Sequence, residues 1–280
     1  MKAGYMLMGE PKAQDGRVLP WGELLSGLAR EGLQGVDLFD TYLRHTGTSV
    51  DEGLGILADN GLEAACYCVQ TDLISPGADV QAALDAVSRG ADICVKHGIR
   101  HLFSAGGQHG NSGPEAVSRY VEGLQRALEI ACAAGLQFSI ENAGRMCHTW
   151  QELLECVERV GPGMKATLDG GNFILASSDP LMAAEKLGSR TVHVHVKNFL
   201  PAPSRQPRPY EYCPPQLGLV DYERFAGILA GFGYKGYLAF EPEGWPDAPT
   251  DDGVRFCATL ARRWSPPAPP AYSGPGERER

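Results

Sequence analysis

The sequence predicts a single (β/α)8 barrel, the TIM-barrel fold, and three observations lead to that prediction. The chain has 280 residues, a length typical of one α/β barrel. Strand-like and helix-like segments alternate along it, and eight such pairs fit into about 265 residues. The third observation concerns the competing architecture, a doubly wound open sheet. It is less favoured because no GxGxxG motif follows the first strand and no linker separates two halves.

Short apolar runs predict the eight strands, and segments of helical period predict the eight helices between them. The strands are expected at residues 2–8, 35–39, 62–69, 99–105, 136–141, 164–169, 191–197 and 236–241. The helices are expected at residues 21–31, 51–60, 79–97, 114–134, 149–160, 180–187, 221–231 and 251–263.

Capping residues support these helix boundaries. Ser49 with Asp51, the run Gly113-Pro114-Glu115 and the pair Asp179-Pro180 are typical helix starts. Glycines follow six of the helices, where left-handed C-caps are expected. They are Gly61, Gly98, Gly135, Gly161, Gly188 and Gly233.

Two stretches interrupt the alternation. Residues 198–220 contain six prolines and lie between the seventh strand and the seventh helix, so they predict a long loop on the C-terminal face of the barrel. Residues 265–280 are rich in proline, glycine and charge, which predicts a disordered tail. The barrel is therefore expected to span residues 1–264.

Composition excludes several classes of protein. Hydrophobic residues make up 43% of the chain and the mean hydropathy is −0.20, unlike disordered, collagen-like or membrane-embedded chains. A net charge of −9 argues against partners with phosphate backbones or anionic membrane surfaces. The apolar stretch at the N-terminus is too short for a signal peptide. Eight cysteines without a CxxC motif predict reduced buried thiols and a cytoplasmic protein.

Side chains that alternate along a strand separate the barrel interior from the helix layer. In the seventh strand, the valines at 192, 194 and 196 suit the helix layer, so His193, His195 and Lys197 point inward. The same alternation turns inward the acidic residues that end three further strands. These are Glu141, Asp169 and Glu241, on the fifth, sixth and eighth strands.

These four strand ends predict a metal site. Adjacent strands lie about 4.8 Å apart, so three carboxylates and one imidazole would converge and repel one another without a cation. A lone acidic residue at a strand end is more often a helix cap, and a lone inward histidine is more often a core residue. Four residues of metal-ligating types on four successive strands favour one divalent metal instead. The set suits Mn²⁺ best, then Co²⁺, Zn²⁺, Fe²⁺ or Mg²⁺.

Five motifs resemble the landmarks of the sugar phosphate isomerase/epimerase superfamily. They are SIENAG (139–144), LDGGNF (168–173), HVHVKN (193–198), LGLVDY (217–222) and AFEPEG (239–244). This is the xylose isomerase-like TIM barrel group that includes ketose 3-epimerases, hydroxypyruvate isomerase and inosose dehydratase. The resemblance implies one divalent metal, often manganese, with Glu141, Asp169, His195 and Glu241 as its ligands.

The sequence also departs from parts of that group. Ketose 3-epimerases usually carry His three residues after the aspartate, where this chain has Asn172. They usually carry Glu six residues after the first glutamate, where this chain has Cys147, followed by His148. These departures disfavour a plain ketohexose 3-epimerase. Asn172 and the acidic charge also exclude the apurinic endonuclease branch with its three zincs.

The resemblance implies an isomerase or epimerase acting on a keto-sugar or related polyol. Its shared chemistry is proton abstraction alpha to a carbonyl through a metal-stabilised enediolate, with Glu141 and Glu241 as candidate bases. A lyase resembling inosose dehydratase is the first alternative, and a non-catalytic metal-binding barrel is the second. The expected partner is a small sugar or cyclitol, and a homo-oligomer remains open.

Polar residues near the mouth of the barrel are candidate substrate contacts. They are Lys197, Arg145, His148, His109 and Asn172. Arg44 and His45 are weaker candidates, and Arg205 and Arg208 are more typical of a solvated loop. The remaining histidines, His97, His101 and His193, are expected to be structural, with His193 one layer below His195.

Overall fold

A computed structural model describes residues 1–7, 20–74, 79–104, 113–144, 146–242 and 250–265, except the side chains at positions 41, 42, 45, 250 and 251. His109, Arg145 and the expected tail from residue 266 onward lie outside these described residues, as does the side chain of His45.

Eight parallel strands close into one barrel, as the sequence predicts. They are β1 (Lys2–Met6), β2 (Gly35–Phe39), β3 (Glu63–Val69), β4 (His101–Ser104), β5 (Gln137–Glu141), β6 (Lys165–Asp169), β7 (Thr191–Val196) and β10 (Tyr237–Phe240). Each strand pairs with its neighbours in chain order, and β10 pairs with both β7 and β1 to complete the ring. The predicted strand boundaries agree with the described ones within two residues.

Ten α-helices lie in the described part of the chain, and eight of them match the predicted helices within one residue. The matching helices are α1 (Trp21–Arg30), α3 (Val50–Asp59), α4 (Val80–His97), α5 (Pro114–Ala133), α6 (Trp150–Val160), α8 (Pro180–Leu187), α9 (Tyr222–Gly231) and α10 (Thr250–Arg263). Two short helices, α2 (Asp40–Thr46) and α7 (Gly170–Leu175), were not predicted. None of the helices in these described segments is long and apolar enough to cross a bilayer.

Most of the predicted caps are confirmed. The Ser49 hydroxyl accepts from the Glu52 amide at 3.1 Å, and Asp179 accepts from the Leu181 amide at 2.8 Å. Five of the six expected C-terminal glycines have positive φ angles, between 69° and 133°. Gly188 is the exception, because its φ of −53° is right-handed and it begins a 3-10 helix over residues 188–190. Glycine is needed there because a Cβ would collide with the ring of Phe232.

The expected long connection at residues 198–220 is present, and it contains a β-hairpin that was not predicted. Strand β8 (Asn198–Pro201) pairs antiparallel with β9 (Tyr210–Cys213). Prolines end β8 and fill the connection, which hid the hairpin from the sequence pattern. The Tyr212 hydroxyl donates a hydrogen bond to the Glu241 carbonyl oxygen, so the hairpin lies against the end of β10.

The barrel interior is polar beneath its C-terminal mouth. His101 is buried and its Nε2 lies 2.7 Å from Ser139 Oγ, which in turn lies 2.8 Å from Thr167 Oγ1. Apolar side chains fill the layer between strands and helices. All eight cysteines are free thiols, and seven of them are buried, with Cys132 exposed.

Candidate metal centre

Four side chains converge at the C-terminal mouth of the barrel. Glu141 and Asp169 end β5 and β6, His195 lies one residue before the end of β7, and Glu241 directly follows β10. One ligand atom from each of the four lies within 4.8 Å of the ligand atoms of the others. All four residues are buried, with Glu141 the most accessible at 7%. The strand-end residues expected to meet are therefore brought together.

Lys197 also belongs to this cluster. It is 1% exposed, and its Nζ lies 2.7 Å from Glu241 Oε1 and 3.0 Å from Asp169 Oδ2. The His195 Nδ1 lies 2.6 Å from Glu141 Oε1 and 3.6 Å from Glu241 Oε2. Among the predicted substrate contacts that the structure describes, Lys197 is thus the one whose side chain touches two of the predicted ligands.

Burial and like charges perturb the ionisation of the cluster. Burial raises the pKa of Glu241 well above its usual range, and the charges of Asp169 and Glu141 add to the effect against the opposing charge of Lys197. Burial disfavours the charged form of His195, but Glu141, Asp37 and Glu241 outweigh it and raise its pKa. Both directions reflect an excess of negative charge in a dry site.

The residues present fit a divalent cation. Glu241 Oε2 and Asp169 Oδ2 are buried and accept no hydrogen bond among the described residues, and Asp169 Oδ2 has only its ion pair with Lys197, at 3.0 Å. Three carboxylates and one imidazole form a mostly hard donor set, of the kind that Mn²⁺ and Mg²⁺ accept. With Lys197 charged, a divalent cation would bring the formal charge of the site to zero.

Asn142 and Asn172 fix the orientation of Asp169. The side-chain amide of Asn142 donates to the Asp169 carbonyl oxygen at 2.9 Å and accepts from the Asp169 amide at 2.8 Å. Asp169 Oδ1 accepts from the backbone amide of Asn172 at 2.8 Å and so caps α7. Because Oδ1 is occupied by this cap, Oδ2 is left facing the cluster.

The glycine pair after Asp169 makes room for Lys197. A Cβ on Gly171 would lie 2.6 Å from Lys197 Cγ and 2.9 Å from its carbonyl oxygen. A Cβ on Gly170 would lie 2.5 Å from the hydroxyl of Tyr222. That hydroxyl donates to the Lys197 carbonyl at 2.7 Å and accepts from its amide at 3.1 Å. The LDGGNF motif is therefore explained by close packing against the backbone of Lys197.

The other candidate contacts that the structure describes are more exposed than the four-residue cluster. His148 is half-buried, and burial lowers its pKa, with Arg208 contributing in the same direction. Asn172 is half-buried, whereas Arg205 and Arg208 are exposed. Arg44 forms an exposed ion pair with Asp40, at 2.8 Å.

Two of the histidines expected to be structural lie outside the four-ligand set. His97 Nε2 lies 3.1 Å from Asp51 on the helix layer. His193 is buried one layer below His195, as predicted, and its ring lies 5.1 Å from the ring of His195.

Two residues near the site were missed in the sequence. Asp37, in the middle of β2, is fully buried, and its Oδ2 lies 2.9 Å from His193 Nε2 and 3.2 Å from His195 Nε2. Its signal was a charged residue with inward parity inside the apolar run GVDLF. Tyr212 has no comparable signal, because its place depends on the hairpin.

Solved structures similar to this chain share its barrel at low identity. A probable 3-DHS dehydratase, AsbF, involved in petrobactin synthesis in Bacillus anthracis, has a TM-score of 0.72 at 17% identity and covers 94% of this chain and 99% of its own. D-allulose 3-epimerase from Methylomonas sp., in complex with D-allulose, has a TM-score of 0.69 at 18% identity, with 95% and 97% covered. A xylose isomerase-like TIM barrel protein from Mycobacterium smegmatis in complex with magnesium has a TM-score of 0.70 at 17% identity, with 94% and 97% covered.

These structural similarities show a shared fold. No curated protein sequence matches the chain. The sequence profile of the xylose isomerase-like TIM barrel family, however, matches residues 18–260, which is most of the chain. The same family was implied by the motifs at the ends of β5, β6, β7 and β10. The chain belongs to the xylose isomerase-like TIM barrel family.

Proposed function

We propose that this protein is a divalent-metal-dependent isomerase or epimerase that acts on a keto-sugar or related polyol by removing a proton alpha to a carbonyl. One observation carries the proposal, namely the convergence of Glu141, Asp169, His195 and Glu241 within 4.8 Å in a buried site at the barrel mouth. D-allulose 3-epimerase, a structure with the same fold, binds a keto-sugar.

Four residues would hold the cation, and manganese is the metal we favour. A bound divalent cation would supply Lewis acidity toward the substrate carbonyl and its neighbouring hydroxyl. The carboxylates of Glu141, Asp169 and Glu241, together with His195 Nδ1, are the ligand atoms of this set. Asn142 keeps Asp169 oriented through its two backbone hydrogen bonds.

Glu141 and Glu241 are the groups we assign to proton transfer. In the order of the barrel strands they lie at the two ends of the four-residue arc, on β5 and just after β10. A carboxylate at each end places one base toward either face of a flat enediolate. Burial raises the pKa of Glu241, which favours the protonated carboxyl that a general acid needs. Return of the proton to the opposite face gives an epimer, and return to the adjacent carbon gives an aldose.

Lys197 has the role of balancing charge that develops on the substrate oxygens. Its ammonium group donates a hydrogen bond to Glu241 and forms an ion pair with Asp169. Proton transfer to Glu241 would free the ammonium group to face an oxyanion instead. His148, Asn172, Arg145 and His109 remain proposed substrate contacts on the surrounding loops.

Dehydration is the second candidate reaction, and the position of Lys197 favours it. A base and a proton donor lie 2.7 Å apart in the Glu241–Lys197 pair. Such a pair can remove an alpha proton and protonate a departing β-hydroxyl. One protein with the same fold is described as a probable 3-DHS dehydratase, an enzyme that removes water from its substrate.

Incubation in deuterated water tests the proposal. The Mn²⁺-loaded protein is mixed separately with D-allulose, an inosose and 3-DHS, and the products are followed by mass spectrometry. We expect one solvent deuteron in a recovered or epimerised ketose. Loss of water from the inosose or from 3-DHS would instead favour the lyase.

Two variants serve as comparisons in that experiment. Glu241→Gln should abolish deuterium uptake, because an amide cannot accept the proton. Glu155→Gln removes a carboxylate from the surface of α6 that pairs only with Arg159 in the described residues, so it should behave as the unaltered protein. Metal binding without deuterium uptake from any of the three compounds would contradict an enolising enzyme and favour a non-catalytic barrel.

A further inference from the structure

A buried carboxylate lies on the side of His195 that faces away from the four-ligand set. Asp37 is in the middle of β2 and has no exposed surface. Its Oδ2 lies 3.2 Å from His195 Nε2, whereas Glu141 and Glu241 approach the other ring nitrogen, Nδ1. The two edges of the imidazole therefore face different partners.

The contacts of Asp37 define which nitrogen of His195 carries hydrogen. Its Oδ2 lies within 3.2 Å of two imidazole nitrogens, His193 Nε2 and His195 Nε2. A carboxylate only accepts hydrogen bonds. A proton on His195 Nε2, 3.2 Å from Asp37 Oδ2, is favoured over a lone pair that would face a carboxylate oxygen. The proton on Nδ1, 2.6 Å from Glu141 Oε1, is then the one that a bound cation would replace.

His193 holds Asp37 in place from below. The His193 Nε2 lies 2.9 Å from the same oxygen, Asp37 Oδ2, and the two histidine rings meet edge to face with centroids 5.1 Å apart. The hydrogen bond between His193 and Asp37 thus links β7 to β2 across the interior of the barrel. It restricts rotation of the Asp37 carboxylate and of the His193 ring.

We propose that Asp37 is a positioning residue that holds His195 with its Nδ1 lone pair directed at Glu141, Asp169 and Glu241. The inference rests on the proposed function, since it gives the histidine its orientation as a metal ligand. Carboxylates that accept from the second nitrogen of a ligating histidine also raise its basicity. Asp37 does not touch the substrate site itself.

The same three residues could also be read as a second cation site, because Asp37, His193 and His195 each offer a ligand atom. The geometry favours protonated nitrogens beside the carboxylate. His193 Nε2 forms a hydrogen bond with Asp37 Oδ2 at 2.9 Å, His195 Nε2 lies at an ion-pair distance of 3.2 Å from the same oxygen, and a protonated nitrogen has no lone pair for a metal. Metal stoichiometry separates the two readings.

Calorimetric titration with Mn²⁺ alone tests the proposal on three variants. Asp37→Leu keeps the number and branching of the side-chain heavy atoms but removes the acceptor, and it should weaken Mn²⁺ binding by about 10- to 100-fold. Asp37→Asn keeps one acceptor oxygen and should weaken binding less. Thr167→Val removes a buried hydrogen bond from the same interior layer, to Ser139 and away from Asp37, so its affinity should match the unaltered protein.

Nitrogen-15 NMR of the unaltered protein loaded with diamagnetic Zn²⁺ provides a readout that needs no variant. We expect His195 to bind through Nδ1 and to keep a proton on Nε2. Coordination through Nε2, equal Mn²⁺ affinity in Asp37→Leu, or two Mn²⁺ ions per unaltered chain would each overturn the proposal. If the unaltered protein binds no metal at all, the proposed function fails first. If the unaltered protein and Asp37→Leu bind Mn²⁺ equally well, only the positioning role of Asp37 is contradicted.

Discussion

Glu241 is the residue on which the proposed chemistry depends most. Its Oε1 contacts Lys197 at 2.7 Å, while its Oε2 has no hydrogen-bond partner among the described residues. Its backbone carbonyl is also fixed by the hydroxyl of Tyr212. The side chain is therefore held in place with one oxygen toward the proposed metal and its pKa raised.

Replacing Glu241 by Gln should separate its two proposed roles. The amide keeps the shape and one oxygen donor but cannot act as a base. We expect weaker Mn²⁺ binding and a turnover lower by about 10²-fold or more, which excess Mn²⁺ does not restore. Steady-state kinetics across a Mn²⁺ series measures both effects. Recovery of the rate at high Mn²⁺ would assign the base to Glu141, and Glu141→Gln would then show the larger loss.

For individual residues, the sequence predicted which side chains converge at the barrel mouth but not which residues hold them in place. Alternation along β5, β6 and β7 was enough to turn Glu141, Asp169 and His195 inward. Asp37 shares that parity, yet its role depends on the distance across the barrel to β7, which local sequence does not carry. The bonds from Asn142 to Asp169 likewise depend on the register of two strands.

Short elements at the strand ends shape the site. Helix α7 begins directly after Asp169, so its first turn is packed against Lys197 rather than separated by a loop. Helices α2 and α7 are not evident in the sequence, because each follows its strand without an intervening turn signal. The β8–β9 hairpin was missed because prolines frame it. The eight longer helices were predictable because their apolar period spans several turns.

Gly171→Ala should test the packing of α7 against Lys197. The new Cβ would meet the Lys197 carbonyl oxygen, a backbone atom that cannot move aside. We expect the free energy of unfolding to fall by about 1–3 kcal/mol, as overpacking usually causes. The matched control is Gly55→Ala on the exposed face of α3, where no atom lies within 4 Å of the new Cβ. It should be neutral or stabilising by up to about 1 kcal/mol.

Chemical denaturation of the two glycine variants measures these differences. A Gly171→Ala protein as stable as Gly55→Ala would show that α7 is free to shift away from β7. Unchanged turnover in Gly171→Ala would further contradict a role for Lys197 at its observed position.

The whole molecule carries a polar layer inside its barrel, and this layer ties stability to pH. Burial, with a contribution from His193, lowers the pKa of His101 to about 3 in the folded protein. The unfolded chain has a histidine of ordinary pKa, near 6.5. Between these two values the unfolded state binds the extra proton, so the contribution of His101 to stability falls as the pH drops below about 6.5.

The variant His101→Asn isolates that contribution, because other titrating groups are common to both proteins. The stability advantage of the unaltered protein over the variant should shrink from pH 7 to pH 4.5, by up to about 1.4 kcal/mol per pH unit. Urea denaturation at several pH values measures it. A difference that stays constant with pH would mean that folding leaves the pKa of His101 at its ordinary value, and it would contradict the lowered pKa.

Closure of the barrel follows from sequence more completely than the site does. Eight strand–helix pairs and their caps predict the ring, since each unit pairs with its neighbour in chain order. The contacts between side chains inside the barrel are less predictable, because each inward side chain meets residues from strands that are far away in sequence. His101, Ser139 and Thr167 illustrate this, since they come from three different strands.

The central claim is that one divalent cation is held by Glu141, Asp169, His195 and Glu241. Elemental analysis of the protein and of Asp169→Ala, each dialysed after loading with Mn²⁺, tests it most directly. That substitution also removes the cap of α7, so Ser49→Ala, which removes only the cap of α3, is its control. We predict one Mn²⁺ per chain in the unaltered protein and in Ser49→Ala, and loss of most of it in Asp169→Ala. Full occupancy in Asp169→Ala would contradict the account.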